Sequence, residues 1–81
     1  MISKLKTGKT VVGLKQTKKA AAQSQAEMVW IAEDADPALT AAVERVCQEH
    51  QVPVEWVPTM KELGSACGIS IGASAAALLR F

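Results

Sequence analysis

The sequence predicts an α/β sandwich, because strand-like segments alternate along the chain with segments of helical character. Five consecutive apolar residues, 28–32, are typical of a strand that is buried on both faces. An aspartate and a proline at 36–37, followed by regularly spaced apolar residues, are typical of an amphipathic helix with a capped start. With 81 residues, of which 49% are hydrophobic, the chain is expected to form a single aliphatic domain over residues 1–81.

In the first half of the chain, the expected elements are two helical segments and two strands. Residues 2–6 have two apolar side chains at helical spacing and predict one short turn. The β-branched residues 10–12, followed by Gly13, predict a strand that ends in a turn. Residues 14–25 predict a helix, and residues 27–34 predict the buried strand.

The middle of the chain predicts a helix and then a strand. Asp36 is expected to cap this helix, with Pro37 at its first position. The stripe expected to dock on the sheet has the spacing i, i+4, i+7 and i+8 and consists of Leu39, Val43, Val46 and Cys47. Residues 52–57 predict a strand with Val54 and Trp56 on one face.

The last third of the chain predicts a further helix and an ambiguous tail. Thr59 and Glu62 have the spacing of a capping box, and Gly68 is a natural helix stop. Alanine and leucine in residues 73–81 favour a helix by propensity. A strand of small residues between helices would have the same composition, so the residues alone leave both possibilities open.

Charge is distributed unevenly along the chain. Residues 1–19 contain six lysines and no carboxylate, whereas the rest of the chain contains three basic residues and eight carboxylates. This asymmetry indicates a polyanionic partner, although a solvated basic arm would explain it as well. The first long predicted helix follows Gly13, and its positive N-terminal end would normally attract acids. It contains instead Lys15, Lys18 and Lys19. We therefore expect an anion to bind at this helix start.

Membrane, secretory and disulfide-bonded classes are disfavoured. No apolar stretch is long enough to span a bilayer, and the basic N-terminus lacks the apolar region of a signal peptide. Cys47 and Cys67 lie on separate predicted helices, so a disulfide is not expected. These features predict a cytoplasmic protein with no membrane partner.

Catalytic and metal sites also have little support. A solvated loop and a helix cap explain the acidic cluster Glu33, Asp34 and Asp36 more simply than a metal site does. His50, the one histidine, is expected at the surface near a helix end, and its pairing with Cys67 lacks any supporting signature. We expect no enzymatic activity, no metal and no cofactor.

Four segments occur in a definite order along nearly the whole chain: VVGLKQTKKA, VWIAEDADP, VPVEWV and MKELGSACGISIGASAAAL. Together they resemble the L7Ae/L30e ribosomal protein family, and within it the short bacterial branch of kink-turn RNA-binding proteins. The resemblance implies a three-layer α-β-α sandwich with a four-stranded mixed sheet. It also implies that the alanine-rich tail is a strand despite its propensity.

The resemblance further implies binding of kink-turn RNA, which combines tandem sheared G·A pairs with a flipped-out nucleotide. The family signature G-x-N-E-x-T-K corresponds to residues 13–19, where lysine replaces the usual asparagine and glutamine the usual glutamate. Lysine can still donate to a guanine, whereas an uncharged glutamine should weaken the contact with a guanine amino group. The RNA-binding residues implied at this helix start are Gly13, Leu14, Lys15, Gln16 and Lys19.

A second part of the implied site surrounds the extruded base. Its residues come from the loop before the last strand and from two neighbouring positions, and they are Asp36, Met60, Ile69, Ser70 and Ile71. Apolar residues that alternate between Gly68 and Gly72 are typical of an exposed loop tip. The alternative is that both isoleucines belong to the core.

Three functional hypotheses remain open at this point. The first is a kink-turn RNA-binding protein that acts as a monomer, with structured RNA as its partner and ribosomal RNA as one candidate. The second is a protein-interaction module of the same fold without RNA binding, which the lysines oppose. The third is a small enzyme that acts on a phosphorylated metabolite at the helix start, which the missing acid–base groups oppose.

Overall fold

The computed structural model describes residues 9–80, so the turn predicted for residues 2–6 lies outside the described residues. The described part contains four strands and three helices: β1 (Thr10–Val12), α1 (Leu14–Ala22), β2 (Ala26–Ala32), α2 (Pro37–Glu49), β3 (Val54–Val57), α3 (Met60–Ala66) and β4 (Ala75–Leu79). The strand order is β1-β4-β2-β3. β4 is antiparallel to both β1 and β2, whereas β3 is parallel to β2. The predicted α/β fold with a four-stranded mixed sheet is confirmed.

The strand directions bring four connections to one end of the sheet. Val12 pairs with Ala76, Ile31 with Ala75, and Ala32 with Val57. The last residues of β1, β2 and β3 therefore lie at the same end of the sheet as the first residues of β4. We call this the loop end of the sheet; it comprises residues 13–16, 33–36, 58–60 and 68–74. Because α1, α2 and α3 each follow one of those strands closely, all three helices begin there.

The core consists of two apolar clusters, one on each face of the sheet. On one face α3 packs through Leu63 against Trp30 of β2. On the other face α1 and α2 pack against β2 and β4, with Val43 as a fully buried contact. The helices thus form the outer layers of a three-layer sandwich. No helix among residues 9–80 has the length and apolar character needed to cross a bilayer.

The alanine-rich tail is the strand β4, as the family resemblance implies and against its helical propensity. Three consecutive alanines, residues 75–77, are completely buried because helices cover both faces of this strand. β4 also pairs with a strand on each side. Small side chains let both helical layers approach the sheet, so tertiary packing overrides the local preference.

The ends of the first half's elements differ from the predicted ones. α1 ends at Ala22 rather than at residue 25, because Ser24 adopts a left-handed conformation with φ 57°. The N–H of Gln25 then donates to the carbonyl of Ala20 at 2.9 Å, which closes the helix in a Schellman motif. β2 starts one residue before the predicted 27–34 and ends at Ala32, because the two acidic residues that follow form a turn.

The predicted start of α2 is confirmed, but one residue of its docking stripe was predicted wrongly. Asp36 caps the helix by accepting from the N–H of Ala38 at 2.9 Å, and proline occupies the first helical position. Leu39 is 55% exposed. The buried residues of α2 are Thr40, Val43 and Cys47. Successive residues of a helix are about 100° apart, so Leu39 lies within about 40° of Val43 around the helix. Its place in the first turn of α2, rather than its direction, therefore leaves it exposed.

The predicted start and stop of α3 are also confirmed. The side chain of Thr59 accepts from the N–H of Glu62 at 3.0 Å, and Gly68 follows the helix with φ 80°. The preceding strand, β3, lies at an edge of the sheet, and Trp56 is 44% exposed there. The buried Trp30 satisfies its indole N–H by donating to Glu55 of this strand at 3.0 Å.

Candidate nucleic-acid interface

The start of α1 depends on a glycine. Gly13 has φ 104°, a conformation that side chains with a Cβ rarely adopt. Its N–H donates to the carbonyl of Ala75 at 2.8 Å, which fastens the helix start to the first residue of β4. A Cβ at this position would meet no atom within 4 Å, so the requirement is conformational rather than steric.

This helix start lacks the caps of the two other helices. Asp36 caps α2 and Thr59 caps α3, but no side chain among residues 9–80 caps α1, and its first turn contains no acid. The first N–H groups of an α-helix have no intrahelical partner. In α1 these are the N–H groups of Leu14, Lys15 and Gln16. They present donors and partial positive charge at the loop end, which suits an anionic ligand.

The side chains of the first turns of α1 divide between core and solvent. Leu14 packs partly against the apolar cluster beneath α1 and α2, so its backbone N–H rather than its side chain is available to a ligand. Thr17 is buried. The exposed residues are Lys15, Gln16, Lys18 and Lys19.

Gln16 and Lys19 lie one helical turn apart and share a cleft of about 180 Å³ with Val11 and Leu79 at the β1 side of the sheet. Lys19 is in the last turn of α1, where a cation also complements the helix dipole. Lys19 therefore lies beside Gln16 but more than one helical turn after the first residue of α1.

Lys9 occupies a different part of the surface. It is exposed and precedes β1, and its carbonyl accepts from the N–H of Leu79 at 2.8 Å. The three residues of β1 separate it from Gly13, a span of about 13 Å for an extended chain. A change of charge at Lys9 should therefore leave the start of α1 undisturbed.

The second part of the predicted site is organised around the backbone of Met60, the first residue of α3. Its N–H donates to a carboxylate oxygen of Asp34 at 2.8 Å, and its carbonyl accepts from the N–H of Ala73 at 3.0 Å. The hydroxyl of Ser74 also contacts the sulfur of Met60 at 3.6 Å. The turn after β2 and the loop before β4 are thereby held on the same residue.

The tip of the loop before β4 is exposed, as the sequence predicts. Ile71 is 73% and Ile69 is 37% exposed, and Ser70 between them is exposed as well. The loop rests on α3, because the N–H of Ile69 donates to the carbonyl of Gly64 at 3.1 Å. A Cβ on Gly64 would overlap the carbonyl oxygen of Ile71. Sequence reasoning missed Gly64, although a glycine inside a helical pattern often marks such a close approach.

The two parts of the site meet at the start of β4. The carbonyl of Ser74 accepts from the N–H of Ala32 at 2.9 Å, while the next carbonyl accepts from Gly13. The loop end thus brings together most of the predicted site residues: Gly13, Leu14, Lys15, Gln16, Asp36, Met60, Ile69, Ser70 and Ile71. An uncapped helix start with lysines therefore lies at the same end of the sheet as an exposed apolar loop tip.

His50 and Cys67, the two candidate groups for nucleophilic chemistry, lie apart. His50 follows α2 on one side of the sheet, and Cys67 follows α3 on the other. Burial raises the pKa of the Cys67 thiol above its ordinary value, which disfavours the thiolate. For Cys47, burial and the nearby Glu44 raise the pKa in the same direction. Both cysteines are free thiols.

A family model described as "Ribosomal protein L7Ae/L30e/S12e/Gadd45 family" matches residues 2–80. The chain belongs to this family. Among members of similar length, an RNA-binding protein of Geobacillus sp. (strain WCH70) is 49% identical over 76 residues, which are 94% of this chain and 93% of that protein. The RNA-binding protein YbxF of Geobacillus stearothermophilus is 46% identical over 76 residues, with the same coverage of 94% and 93%.

The fold of this L7Ae/L30e-type chain also matches solved structures. The Giardia lamblia 15.5kD RNA binding protein is similar with a TM-score of 0.86 at 26% sequence identity. The match covers 99% of this chain and 71% of that chain. The α/β architecture with its mixed sheet is therefore shared with an RNA-binding protein of larger size.

Proposed function

We propose that this chain binds kink-turn RNA through the loop end of its sheet, with ribosomal RNA as one candidate source of the target. The observation that carries the proposal is the uncapped, lysine-bearing start of α1 at the same end of the sheet as the exposed loop tip at residues 69–71. Membership of the family and the RNA-binding function named for the relatives support the same conclusion.

The start of α1 would meet the sheared G·A pairs. Its free N–H groups and the ammonium of Lys15 suit phosphate oxygens, which attract helix N-termini and cations. Lys15 can also donate to the O6 and N7 atoms of a guanine. The amide oxygen of Gln16 can accept from a guanine amino group, without the charge assistance that a glutamate would add.

The exposed loop tip would receive the flipped-out nucleotide. The side chains of Ile69 and Ile71 offer apolar contact to the face of an unstacked base. Ser70 lies between them, and the backbone of Met60 supports the loop through Ala73. One carboxylate oxygen of Asp36 caps α2, which leaves its other oxygen free to accept a hydrogen bond from a base.

Binding to a kink-turn duplex is expected to depend strongly on salt. Four to six lysines near the RNA backbone would release counterions, so the slope of log affinity on log salt should be about −3 to −5. Titrations at several salt concentrations would measure this slope. The matched control is the same duplex with its G·A pairs converted to Watson–Crick pairs, which should bind more weakly. A flat salt response would favour the protein-interaction module instead.

Variants of Gln16 and Lys9 should separate base recognition from charge. Gln16→Ala is expected to cost about 1–3 kcal/mol on the kinked RNA, because it removes a base contact, and to leave the salt slope almost unchanged. Lys9→Ala should weaken binding to both RNAs alike and reduce the slope by about one unit. Lys15→Ala should show both effects, since it removes a charge and a base-edge donor.

The same titrations at several salt concentrations on both duplexes measure all three variants. If Gln16→Ala loses nothing on the kinked RNA while Lys15→Ala weakens binding to both RNAs alike, the start of α1 acts only through charge. The proposal that this helix recognises the G·A pairs would then be wrong.

A further inference from the structure

Asp34 makes a hydrogen bond that its position in the sequence does not suggest. It lies in the turn after β2, and its carboxylate accepts from the N–H of Met60 at 2.8 Å, across 26 positions of the chain. This bond satisfies the first backbone N–H of α3. The side-chain oxygen of Thr59 accepts from another N–H of the first turn, that of Glu62. Asp34 thus acts as a second, non-local cap of α3.

This bond connects the two walls of the proposed nucleotide pocket. Asp34 is two positions before Asp36, on one wall. The other wall is the loop tip at residues 69–71, which is held to α3 through the bond between Ala73 and the carbonyl of Met60 at 3.0 Å. The N–H and the carbonyl of a single residue therefore link the two walls.

The charge of Asp34 opposes the function proposed for this surface. The turn lies at the loop end, where phosphates would approach, and a carboxylate there repels RNA. The positive end of α3 offsets only part of this repulsion. If Asp34 acted through charge alone, its removal would strengthen RNA binding.

We propose that Asp34 is a positioning residue for the RNA-binding surface. Its bond to Met60 holds the pocket walls at their binding distance in the free protein, so that the extruded nucleotide meets a preformed pocket. The inference rests on the proposed function, because it assigns a role within that same site. It makes Asp34 a contributor to affinity even though its charge disfavours RNA.

Two substitutions at this position are expected to differ in their effect on RNA binding. Asp34→Ala removes the acceptor and should weaken binding to the kinked RNA about tenfold, the usual effect of one lost hydrogen bond. Asp34→Asn keeps an acceptor oxygen and removes the charge, so it should bind as well as the wild type or more tightly. The neighbouring exposed Glu33 provides a charge control, because Glu33→Gln should bind as well as the wild type or more tightly too.

The RNA and the free protein provide independent readouts. With the flipped-out nucleotide replaced by an abasic one, the loss in Asp34→Ala should disappear, because the pocket is then empty. Without RNA, hydrogen exchange at the Met60 amide should be about tenfold faster in Asp34→Ala and nearly unchanged in Asp34→Asn. The amide of Leu63, which bonds to the carbonyl of Thr59, is the internal control.

The outcomes distinguish the inference from the function on which it rests. If the wild type does not prefer the kinked RNA, the proposed function is wrong, and the positioning role is wrong with it. If the wild type binds but Asp34→Ala, Asp34→Asn and Glu33→Gln all tighten binding alike, Asp34 acts only through charge. An equal loss in Asp34→Ala on the intact and the abasic RNA, or an unchanged Met60 amide, would overturn the positioning role as well.

Discussion

Gly64→Ala is expected to destabilise the protein by about 2–3 kcal/mol, because α3 and the loop before β4 are in backbone contact at this residue. The added Cβ would overlap the carbonyl oxygen of Ile71 and would lie 3.0 Å from its carbonyl carbon and 3.1 Å from the Cα of Gly72. These are backbone atoms, which cannot rotate away as the end of a side chain can. Either the loop or the helix must move.

The sign of this effect is informative, because alanine usually improves a helix. Replacement of an interior helical glycine by alanine normally stabilises by about 1 kcal/mol. Denaturant unfolding of Gly64→Ala should show the opposite sign. The matched control is Ser65→Ala, an exposed neighbour in the same helix, which should change stability by less than about 0.5 kcal/mol.

The same variant should also lose RNA affinity under conditions in which it is folded, because the displaced loop carries the tip at residues 69–71. A Gly64→Ala protein that is more stable than the wild type and binds RNA normally would show that the loop can shift without cost. The close packing of this loop on α3 would then have no role in the site.

Ile71→Asp is expected to weaken binding to kink-turn RNA by about 2 kcal/mol or more, roughly 30-fold. The substitution removes apolar contact with the extruded base and places a carboxylate beside phosphates. Because Ile71 is 73% exposed, the melting temperature of the free protein should stay close to that of the wild type. RNA titration and thermal unfolding of the same preparation measure the two effects.

Two further variants divide the Ile71→Asp effect into its causes. Ile71→Ala removes the apolar contact without adding charge and should show part of the loss. Gln51→Asp adds the same charge in the exposed turn before β3, at the opposite end of the sheet, and should bind nearly as well as the wild type. Equal losses of stability and binding in Ile71→Asp would identify Ile71 as a structural residue. The proposal that the loop tip receives the flipped-out nucleotide would then be wrong.

Local chemistry made much of the architecture predictable from the sequence. The cap at Asp36, the cap at Thr59 and the stop at Gly68 each involve residues within one helical turn, so their spacing is visible along the chain. The buried run in β2 is equally local, because it is a continuous stretch of apolar residues. The charge asymmetry of the chain, and the lysines at the start of α1 where acids are usual, both identified this helix end as a candidate site.

Longer-range relations were beyond such reasoning. Propensity alone favours a helix for β4, whose alanines form a strand because helical layers cover both of its faces. Leu39 looks like a core residue by its spacing, yet it lies in the first turn of α2 at the end of the sheet, where its side chain is 55% exposed. The left-handed Ser24 ends α1 earlier than composition suggests, because a Schellman motif needs a backbone conformation and not a particular residue.

The sequence by itself therefore determined most of the elements, a helix start with lysines in place of acids, and an exposed loop between two glycines. Only the tertiary structure decided how these pieces meet. Asp34 reaches Met60 across 26 positions, and Gly64 meets the backbone of Ile71, because strand directions bring four connections to one end of the sheet. Hydrogen bonds and close contacts act over a few ångströms of space, so residues far apart in the chain become one site only when the sheet order is set.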